Sequence, residues 1–203
     1  MNAQLETGLT AVTVIAASYL IGSIPFGLVV AKTFKGIDPR KAGSGNIGST
    51  NVARLCGWPC GLLTLFCDIM KGTLPVLIAV YLLPDQFMQS LVALAAVLGH
   101  IKSPFLGFKG GKGVATTIGA LIPLAFLPLL CAVACFFVVV FITRYVSLSS
   151  MTMSVALVVF YAVFGHWQLL PLGVVLAAMI IWAHRSNIGR LLRGEESKFV
   201  LKK

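Results

Sequence analysis

Three long stretches of this sequence contain no Asp, Glu, Lys or Arg, and they limit the possible fold more than any other feature. They are Thr7–Ala31, Gly113–Thr143 and Tyr145–Ala183, with 25, 31 and 39 residues. As a helix the first is about 37 Å long, against a hydrocarbon core of about 30 Å. Hydrophobic residues make up 58% of the chain and charged ones only 11%. We therefore expect an integral membrane protein with an all-α fold.

The length of the chain limits the number of domains, and its net charge indicates how it is oriented in the membrane. At 203 residues it is about one domain long, so we expect a single transmembrane domain over residues 1–203. The residues before the first apolar run include Glu6 but no Lys or Arg, which argues against a cleaved signal peptide. The net charge of +10 comes from basic residues in short loops between apolar spans. That pattern sets membrane orientation, and we expect no nucleic-acid partner.

A charged pair interrupts the next apolar region. Leu55–Pro84 consists of two uncharged pieces on either side of Asp68 and Lys71. Each piece is about 20 Å long as a helix, too short to span the membrane alone, so we expect one interrupted crossing. The two charges can neutralise each other on one helix face, and they form either a functional site or a structural ion pair. A turn at Asp85 then leads into a further crossing, Gln86–Ile101.

The orientation of the chain follows from where its basic residues lie. If the two longest uncharged stretches each cross twice, with breaks at Pro123–Pro128 and Gly165–Gln168, the basic C-terminal tail is cytoplasmic. A single crossing in one of them would place that tail outside. The sequence therefore predicts a polytopic helical bundle of about seven transmembrane helices, some short or broken. Its N-terminus would lie outside and its C-terminus in the cytoplasm, with fifteen of the sixteen Lys and Arg residues on the cytoplasmic side.

One short loop combines glycines with lysines. Gly107–Gly113 contains four glycines and two lysines, Lys109 and Lys112. Glycines let successive backbone N–H groups turn towards one ligand, and ammonium groups add positive charge, a combination typical of phosphate binding. The loop lacks the Walker pattern, since Leu106 and Gly113 stand where that motif needs Gly and Ser or Thr. The alternative is a flexible, solvated basic connector.

Three other segments on the same predicted side carry small polar residues beside their basic ones: Lys32–Arg54, Arg144–Ser150 and His184–Lys203. Orientation needs only Lys and Arg, so the added glycines, amides and hydroxyls indicate a site that binds phosphate. His184 could accept a proton there or cap the last helix. His100 shows no partner in the sequence. The five cysteines lie in apolar segments, which favours packing over metal binding, and we expect no metal site.

These loops are similar to those of a known family, the bacterial membrane acyltransferases that move a fatty acyl group from acyl phosphate to glycerol 3-phosphate. Two residues of this chain depart from the family pattern. Ser49 stands where the family usually has Ala, and Ala183 stands where the family often has a basic residue directly before the His. The resemblance extends over essentially the whole chain. Its matching segments are Gly22–Gly27, Gly43–Arg54, Asp68-x-x-Lys71-Gly72, Gly99-His100, Gly107–Gly113, Arg144–Leu148, and His184–Leu192 with Gly194 and Glu196.

The resemblance implies a seven-helix, multi-pass enzyme of the bacterial inner membrane, surrounded by lipid, with its active site on the cytoplasmic face. It implies no cofactor or metal, and acyl phosphate instead of acyl-CoA or acyl carrier protein as donor. We also expect the protein to be a monomer. Lysophosphatidic acid would be the product. By position, it implies catalytic roles for Ser44, Arg54, Lys112, His184 and Asn187. It implies substrate contacts for Asn46, Thr50, Asn51, Gly110, Gly111, Gly113, Ser150 and Arg190.

Two other classes of protein fit parts of the sequence. A transporter of a phosphorylated metabolite would also have broken helices and an anion site, but such proteins commonly show internal repeats, and this sequence shows none. A membrane scaffold protein would explain the spans and basic loops, yet it would not need glycines, amides and hydroxyls beside the basic residues. We therefore expect an acyltransferase, with the transporter as the alternative.

Overall fold

The computed structural model describes residues 3–199, with side chains from residue 6 onward. Within this range every regular element is helical, so the predicted all-α fold is confirmed. The chain divides into two compact units, the first ending at Leu124 and the second beginning at Ala125. The single domain over residues 1–203 stays a prediction.

In the described residues of the first unit there are six α-helices and a 3₁₀ turn at Pro104–Leu106. A break at residues 23–25 separates the first two helices, as expected for Gly22–Gly27. Pro25 lies at this break, and a proline has a fixed φ and no N–H to continue a helix. The helices are α1 (Ala3–Gly22), α2 (Phe26–Lys35), α3 (Ser49–Cys56), α4 (Trp58–Leu82), α5 (Gln86–Ile101) and α6 (Val114–Leu121).

The second unit, as far as residue 199, contains four α-helices: α7 (Phe126–Thr143), α8 (Val146–Val163), α9 (Leu170–Ala183) and α10 (Arg185–Leu192). A turn and a 3₁₀ turn at Trp167–Leu169 separate α8 from α9, where the sequence predicted a break. The helical segment Trp167–Ala183 meets α10 at a bend of 59°. His184 lies at that bend.

Each of the seven apolar segments predicted to cross the membrane is helical. Five have the length and composition of a full span, with α1 and α2 counted as one span, and a bent pair ending in α10 gives a sixth. The remaining segment, α6, has eight residues. It is about 12 Å long, less than half of a hydrocarbon core. The prediction that some helices are short or broken is therefore confirmed, and the orientation of the termini stays a prediction.

The crossing expected to be interrupted at Asp68 and Lys71 is one continuous helix, α4, of 25 residues. Two helical pieces are not needed, because Lys71 Nζ lies 2.7 Å from Asp68 Oδ1 and both side chains are buried. An ion pair with opposite charges three residues apart neutralises both groups without breaking the backbone hydrogen bonds of the helix. The interruption predicted there was wrong.

Helices α4 and α6 pack closely through glycine. A Cβ atom at Gly72 would collide with the Thr116 carbonyl, and one at Gly119 would collide with the Ile69 carbonyl. Small residues let helix backbones approach each other, which is how helices commonly associate within a membrane. Because α6 follows the glycine loop directly, this contact fixes one end of the loop against α4.

Candidate active site

One amide side chain organises the loop before α3. Asn51 is buried, and its Oδ1 accepts a hydrogen bond from the Ser44 N–H at 2.9 Å. Its Nδ2 donates to the carbonyls of Pro39, Ala42 and Asn46 at 3.0, 3.2 and 2.8 Å. The loop is therefore folded around this amide. Contact of Asn51 with a substrate stays a prediction, and the described contacts of its amide lie within the protein.

The same loop leaves two candidate residues at its surface. Ser44 and Arg54 are exposed, and Arg54 Nη1 lies 3.5 Å from Asn51 Oδ1. Asn46 accepts a hydrogen bond from the Gly48 N–H at 2.8 Å, which shapes the turn into α3. Thr50 is half-buried in the first turn of α3. This side of the loop presents a hydroxyl and a guanidinium group, which suit a phosphate.

The glycine loop Gly107–Gly113 packs on the C-terminal end of α5. The N–H groups of Gly110 and Gly111 donate to the carbonyls of Ile101 and His100, both at 3.0 Å. A Cβ atom at Gly110 would collide with the His100 carbonyl, and one at Gly111 would collide with the His100 ring. These two glycines allow close packing, and their N–H groups are engaged within the protein. Phosphate binding by Gly110 and Gly111 stays a prediction. Its basis would have to be close backbone packing, because the N–H groups of both glycines donate to carbonyls of α5.

The start of α6 is the electropositive part of this loop. Gly113 is the N-cap of α6, with a φ of 83°, and it makes no side-chain cap hydrogen bond. Lys112, directly before it, is half-buried. The first N–H groups of a helix lack partners within the helix and carry a partial positive charge. Lys112 and the first turn of α6 together therefore offer positive charge and N–H groups.

His100, for which the sequence showed no partner, belongs to a buried polar cluster. Its Nδ1 lies 3.1 Å from Thr116 Oγ1 and 3.7 Å from Asp68 Oδ1. Lys71, paired with Asp68, also donates to the Ile24 carbonyl at 2.8 Å. The partners of His100 lie on α4 and α6, so neighbouring sequence could not reveal them. The available signal was the pair of charges inside an apolar helix.

A carboxylate in the second unit gathers three side chains. Glu196 Oε1 accepts hydrogen bonds from Ser147 Oγ at 2.7 Å and Asn187 Nδ2 at 2.6 Å, and Arg190 Nε lies 2.6 Å from Oε2. Burial raises the pKa of Glu196, but these hydrogen bonds and the Arg190 charge outweigh it and hold the pKa below its ordinary value. Sequence reasoning gave Glu196 no role beyond the matched motif, although it is an acid in a basic tail.

His184 is buried between α9 and α10, and its Nδ1 lies 2.8 Å from the Ile180 carbonyl oxygen. A carbonyl oxygen only accepts, so the proton of this contact is on Nδ1 and neutral His184 has its lone pair on Nε2. The His184 N–H also donates to the Ile180 carbonyl, and His184 is the C-cap of α9. Both predicted roles, proton acceptor and cap, fit this geometry. Ser150 donates to the Val146 carbonyl at 2.8 Å.

The predicted site residues fall in both units. Ser44, Arg54 and Lys112 belong to the first unit, and Ser150, His184 and Asn187 belong to the second. Within the first unit Asn51 contacts both Ser44 and Arg54, and within the second Glu196 brings Asn187 and Arg190 together. The catalytic and substrate-binding roles stay predictions.

Comparison with known proteins defines the class of this chain as an integral membrane acyltransferase. A family model described as glycerol-3-phosphate acyltransferase matches residues 12–194. The chain therefore belongs to the glycerol-3-phosphate acyltransferase family. The family and the enzyme class expected from the sequence are confirmed.

Relatives and solved structures agree with this assignment. The chain is 52% identical over 183 residues to the glycerol-3-phosphate acyltransferase of Nitratidesulfovibrio vulgaris, which covers 90% of this chain and 56% of that protein. The chain thus spans little more than half of that relative. It is 50% identical over 185 residues to the enzyme of the same name from Lawsonia intracellularis, covering 90% and 92%. A crystal structure of PlsY (YgiH), an integral membrane glycerol 3-phosphate acyltransferase in its glycerol 3-phosphate form, matches with a TM-score of 0.90 and 42% identity, covering 94% and 96%.

Proposed function

We propose that this protein transfers a fatty acyl group from acyl phosphate to the 1-hydroxyl of sn-glycerol 3-phosphate. The products would be 1-acyl-glycerol 3-phosphate, which is lysophosphatidic acid, and inorganic phosphate, in the first acylation step of phospholipid synthesis. Family membership supports the acceptor. So does the likeness to PlsY structures described as the glycerol 3-phosphate form and the lysophosphatidic acid form, at 42% and 41% identity.

The observation that carries the choice of donor is the start of α6. A half-buried lysine, Lys112, precedes a helix whose N-terminus has no side-chain cap. A phosphate group could accept hydrogen bonds from such an N-terminus, while Lys112 would offset its charge. In the alternative donors, acyl-CoA and acyl carrier protein, the reacting carbonyl is bonded to sulfur and has no phosphate next to it. In acyl phosphate the leaving group is itself a phosphate. We infer that this loop binds the phosphate end of the donor.

In the proposed reaction the 1-hydroxyl oxygen attacks the acyl carbonyl carbon, and a new ester C–O bond forms. The bond between that carbon and the phosphate oxygen breaks, and phosphate leaves with the electron pair. Because acyl phosphate is a mixed anhydride with a good leaving group, no acyl-enzyme is required. The protein has mainly to align two substrates and to offset their negative charge. Alignment of this kind is worth about 7 to 11 kcal/mol when it is close.

The hydroxyl proton has two possible acceptors. One is an oxygen of the donor phosphate, which we prefer slightly because His184 could instead hold glycerol 3-phosphate. The other is His184, whose neutral form has a lone pair on Nε2 when Nδ1 donates to the Ile180 carbonyl. A folded His184→Gln variant separates them. Near-normal kcat would exclude His184 as the base, whereas a drop of about 100-fold or more in kcat at saturating substrates would assign it that role.

The location we propose is the bacterial inner membrane, with the polar loops on the cytoplasmic side and the protein acting as a monomer. The asymmetric distribution of Lys and Arg supports the orientation. Exposed large hydrophobic side chains, including Tyr81 at 90% and Phe141 at 87%, suit contact with lipid. The acyl chain would remain among the helices and lipid while its phosphate end reaches the loops.

The test uses purified full-length protein with glycerol 3-phosphate and either palmitoyl phosphate or palmitoyl-CoA. We expect lysophosphatidic acid and stoichiometric phosphate from palmitoyl phosphate, and no product from the thioester. Lys112→Ala should lower kcat/KM about 10- to 100-fold, the loss expected for a hydrogen bond to a charged group. Lys35→Ala, which removes an exposed lysine at the end of α2, is the matched control and should stay within about twofold of wild type.

Other results would contradict the proposal in defined ways. Product from palmitoyl-CoA at a comparable rate would contradict the donor and the role of the glycine loop, but not the acceptor. No product from either donor, in protein that elutes as a single folded species, would contradict the acyl-transfer activity. In that case, uptake of labelled glycerol 3-phosphate into proteoliposomes would test the transporter alternative.

A further inference from the structure

The buried cluster of Asp68, Lys71, His100 and Thr116 has no role in the reaction described above. Its side chains are almost fully enclosed, with exposures of 3% for Asp68, 1% for Lys71 and 4% for His100. Asp68 and Lys71 lie within one candidate membrane span and His100 lies within another. Ionisable groups are costly inside a membrane protein, so their presence there indicates a function beyond packing.

Lys71 connects this cluster to the break between α1 and α2. Its Nζ lies 2.7 Å from Asp68 Oδ1 and donates to the Ile24 carbonyl at 2.8 Å. The ion pair neutralises Asp68, while the carboxylate still approaches His100 Nδ1 at 3.7 Å. Lys71 therefore allows a carboxylate to be buried next to the His100 ring.

His100 contacts the glycine loop on both sides of Lys112. On one side, its carbonyl accepts the Gly111 N–H at 3.0 Å, and its ring packs so closely that no Cβ fits at Gly111. On the other side, its Nδ1 lies 3.1 Å from the hydroxyl of Thr116, in the first turn of α6. A single residue thus fixes the two ends of the segment that contains Lys112 and the N-terminus of α6.

We propose that Asp68 and His100 form a positioning pair that holds the glycine loop in the conformation that binds the phosphate end of the donor. Asp68 orients the imidazole, and the imidazole holds Gly111 and Thr116 at a fixed separation around Lys112. The pair does not touch the reacting atoms. This inference rests on the proposed function for the identity of the donor, but the ordering of the loop by His100 does not depend on that identity.

Two replacements of His100 test whether the contact of its Nδ1 with Thr116 positions the loop. Asn places a nitrogen near the position of Nδ1, which contacts Thr116, whereas Ala removes the ring and its hydrogen bond. His100→Ala should raise the KM for palmitoyl phosphate about tenfold, the loss of one hydrogen bond of about average strength. The KM for glycerol 3-phosphate should stay within about twofold, and His100→Asn should recover at least half of the loss on a logarithmic scale.

Hydrogen exchange of the full-length protein in detergent gives a readout that needs no substrate. In His100→Ala we expect faster exchange in the peptide that covers residues 107–116, and unchanged exchange in residues 125–199. Asp68→Asn combined with Lys71→Met, which removes both charges together, should reproduce this change without leaving an unpaired buried charge. The control is Ser90→Ala on α5, the helix that carries His100. Ser90 is also buried, but its hydroxyl donates to the Gln86 carbonyl within α5 and not to the glycine loop. It should change neither exchange of the loop nor either KM.

The two measurements separate failure of this inference from failure of the proposed donor. If palmitoyl phosphate is not a substrate, the kinetic comparison cannot be made, but exchange of residues 107–116 should still rise in His100→Ala. Wild-type exchange there in a folded His100→Ala protein would overturn the positioning role. Faster exchange throughout the protein, or an equal rise in both KM values, would also overturn it, because that result fits a general role in folding.

Discussion

Asn51 and Glu196 each form hydrogen bonds to several polar groups of the protein. The Asn51 amide bonds four backbone groups of the loop before α3, and the Glu196 carboxylate bonds three side chains of the second unit. Removing one such side chain leaves several polar groups without partners at once, and each buried group left in this way costs about 1 to 3 kcal/mol. Both residues therefore allow predictions about stability that do not require an activity assay.

Asn51→Ala should lower the melting temperature of the protein more than Asn46→Ala does. The first change removes hydrogen bonds to Ser44, Pro39, Ala42 and Asn46, whereas the second removes one side-chain bond to the Gly48 N–H. We expect a loss of about 2 to 4 kcal/mol for Asn51→Ala and about 1 kcal/mol for Asn46→Ala. Thermal unfolding of both variants in one detergent measures the difference. Equal shifts would contradict the central role of Asn51 in the loop.

Glu196→Gln should destabilise the protein at neutral pH and much less in acid. The pKa of Glu196 is lowered in the folded state, so its carboxylate adds stability above the unfolded pKa of about 4.3. That contribution is lost as the pH falls through the lower, folded pKa. The difference in melting temperature between wild type and Glu196→Gln should therefore be full at pH 7 and shrink progressively below about pH 4.3.

Glu195 provides the matched control for that titration. It also pairs with an arginine, Arg193, at 2.8 Å, but both side chains are more than half exposed. Exposed ion pairs contribute about 0 to 1 kcal/mol, so Glu195→Gln should have little effect at any pH. A pH-independent effect of Glu196→Gln, or equal effects of both variants, would show that the carboxylate charge of Glu196 is not what stabilises the second unit.

At the scale of helices, close backbone contact fixes how α4 and α6 pack. Gly119→Ala would place a Cβ against the Ile69 carbonyl, which belongs to the backbone of α4 and cannot rotate away. Overpacking of this kind costs about 1 to 3 kcal/mol, and we expect a lower melting temperature and a displaced α6. Gly8→Ala on α1 is the control, since no atom lies within 4 Å of the added Cβ. A change at Gly8 as large as that at Gly119 would contradict the packing argument.

The positions of most helices could be predicted because apolar runs and their breaks follow from local sequence. Pro25 interrupts a helix because it has no N–H to donate, and Gly165 allows the positive φ of the turn after α8. The continuity of α4 could not be predicted in this way. A count of uncharged residues treats Asp68 and Lys71 as an interruption, whereas their side chains form an ion pair inside one helix.

At the scale of the whole molecule, the distribution of basic residues makes a prediction about orientation. A fluorescent protein that folds only in the cytoplasm should fluoresce when fused after residue 203. A phosphatase that is active only outside the inner membrane should be active when inserted after Asp85, between α4 and α5. The positive-inside bias is the physical basis, since Lys and Arg concentrate in loops that stay cytoplasmic. The reverse pattern of the two reporters would contradict the predicted topology.

The sequence could indicate which residue types belong to the candidate site, but not how the protein uses them. The composition of Gly107–Gly113 indicates an anion site, yet Gly110 and Gly111 donate their N–H groups to α5. The contact between His100 and Thr116 depends on how α5 and α6 pack, and no spacing rule within one segment reports it. Motifs show which groups are present, whereas the allocation of each hydrogen bond depends on the folded backbone.

The position of Glu196 in the chain also bears on how the protein is made. Its hydrogen-bonding partners are residues 147, 187 and 190, and all of them leave the ribosome before Glu196 does. The polar cluster of the second unit therefore cannot form while α8, α9 or α10 is being synthesised, and it closes only after Glu196 has been added. A nascent chain stalled before residue 196 would therefore lack the carboxylate that joins Ser147, Asn187 and Arg190.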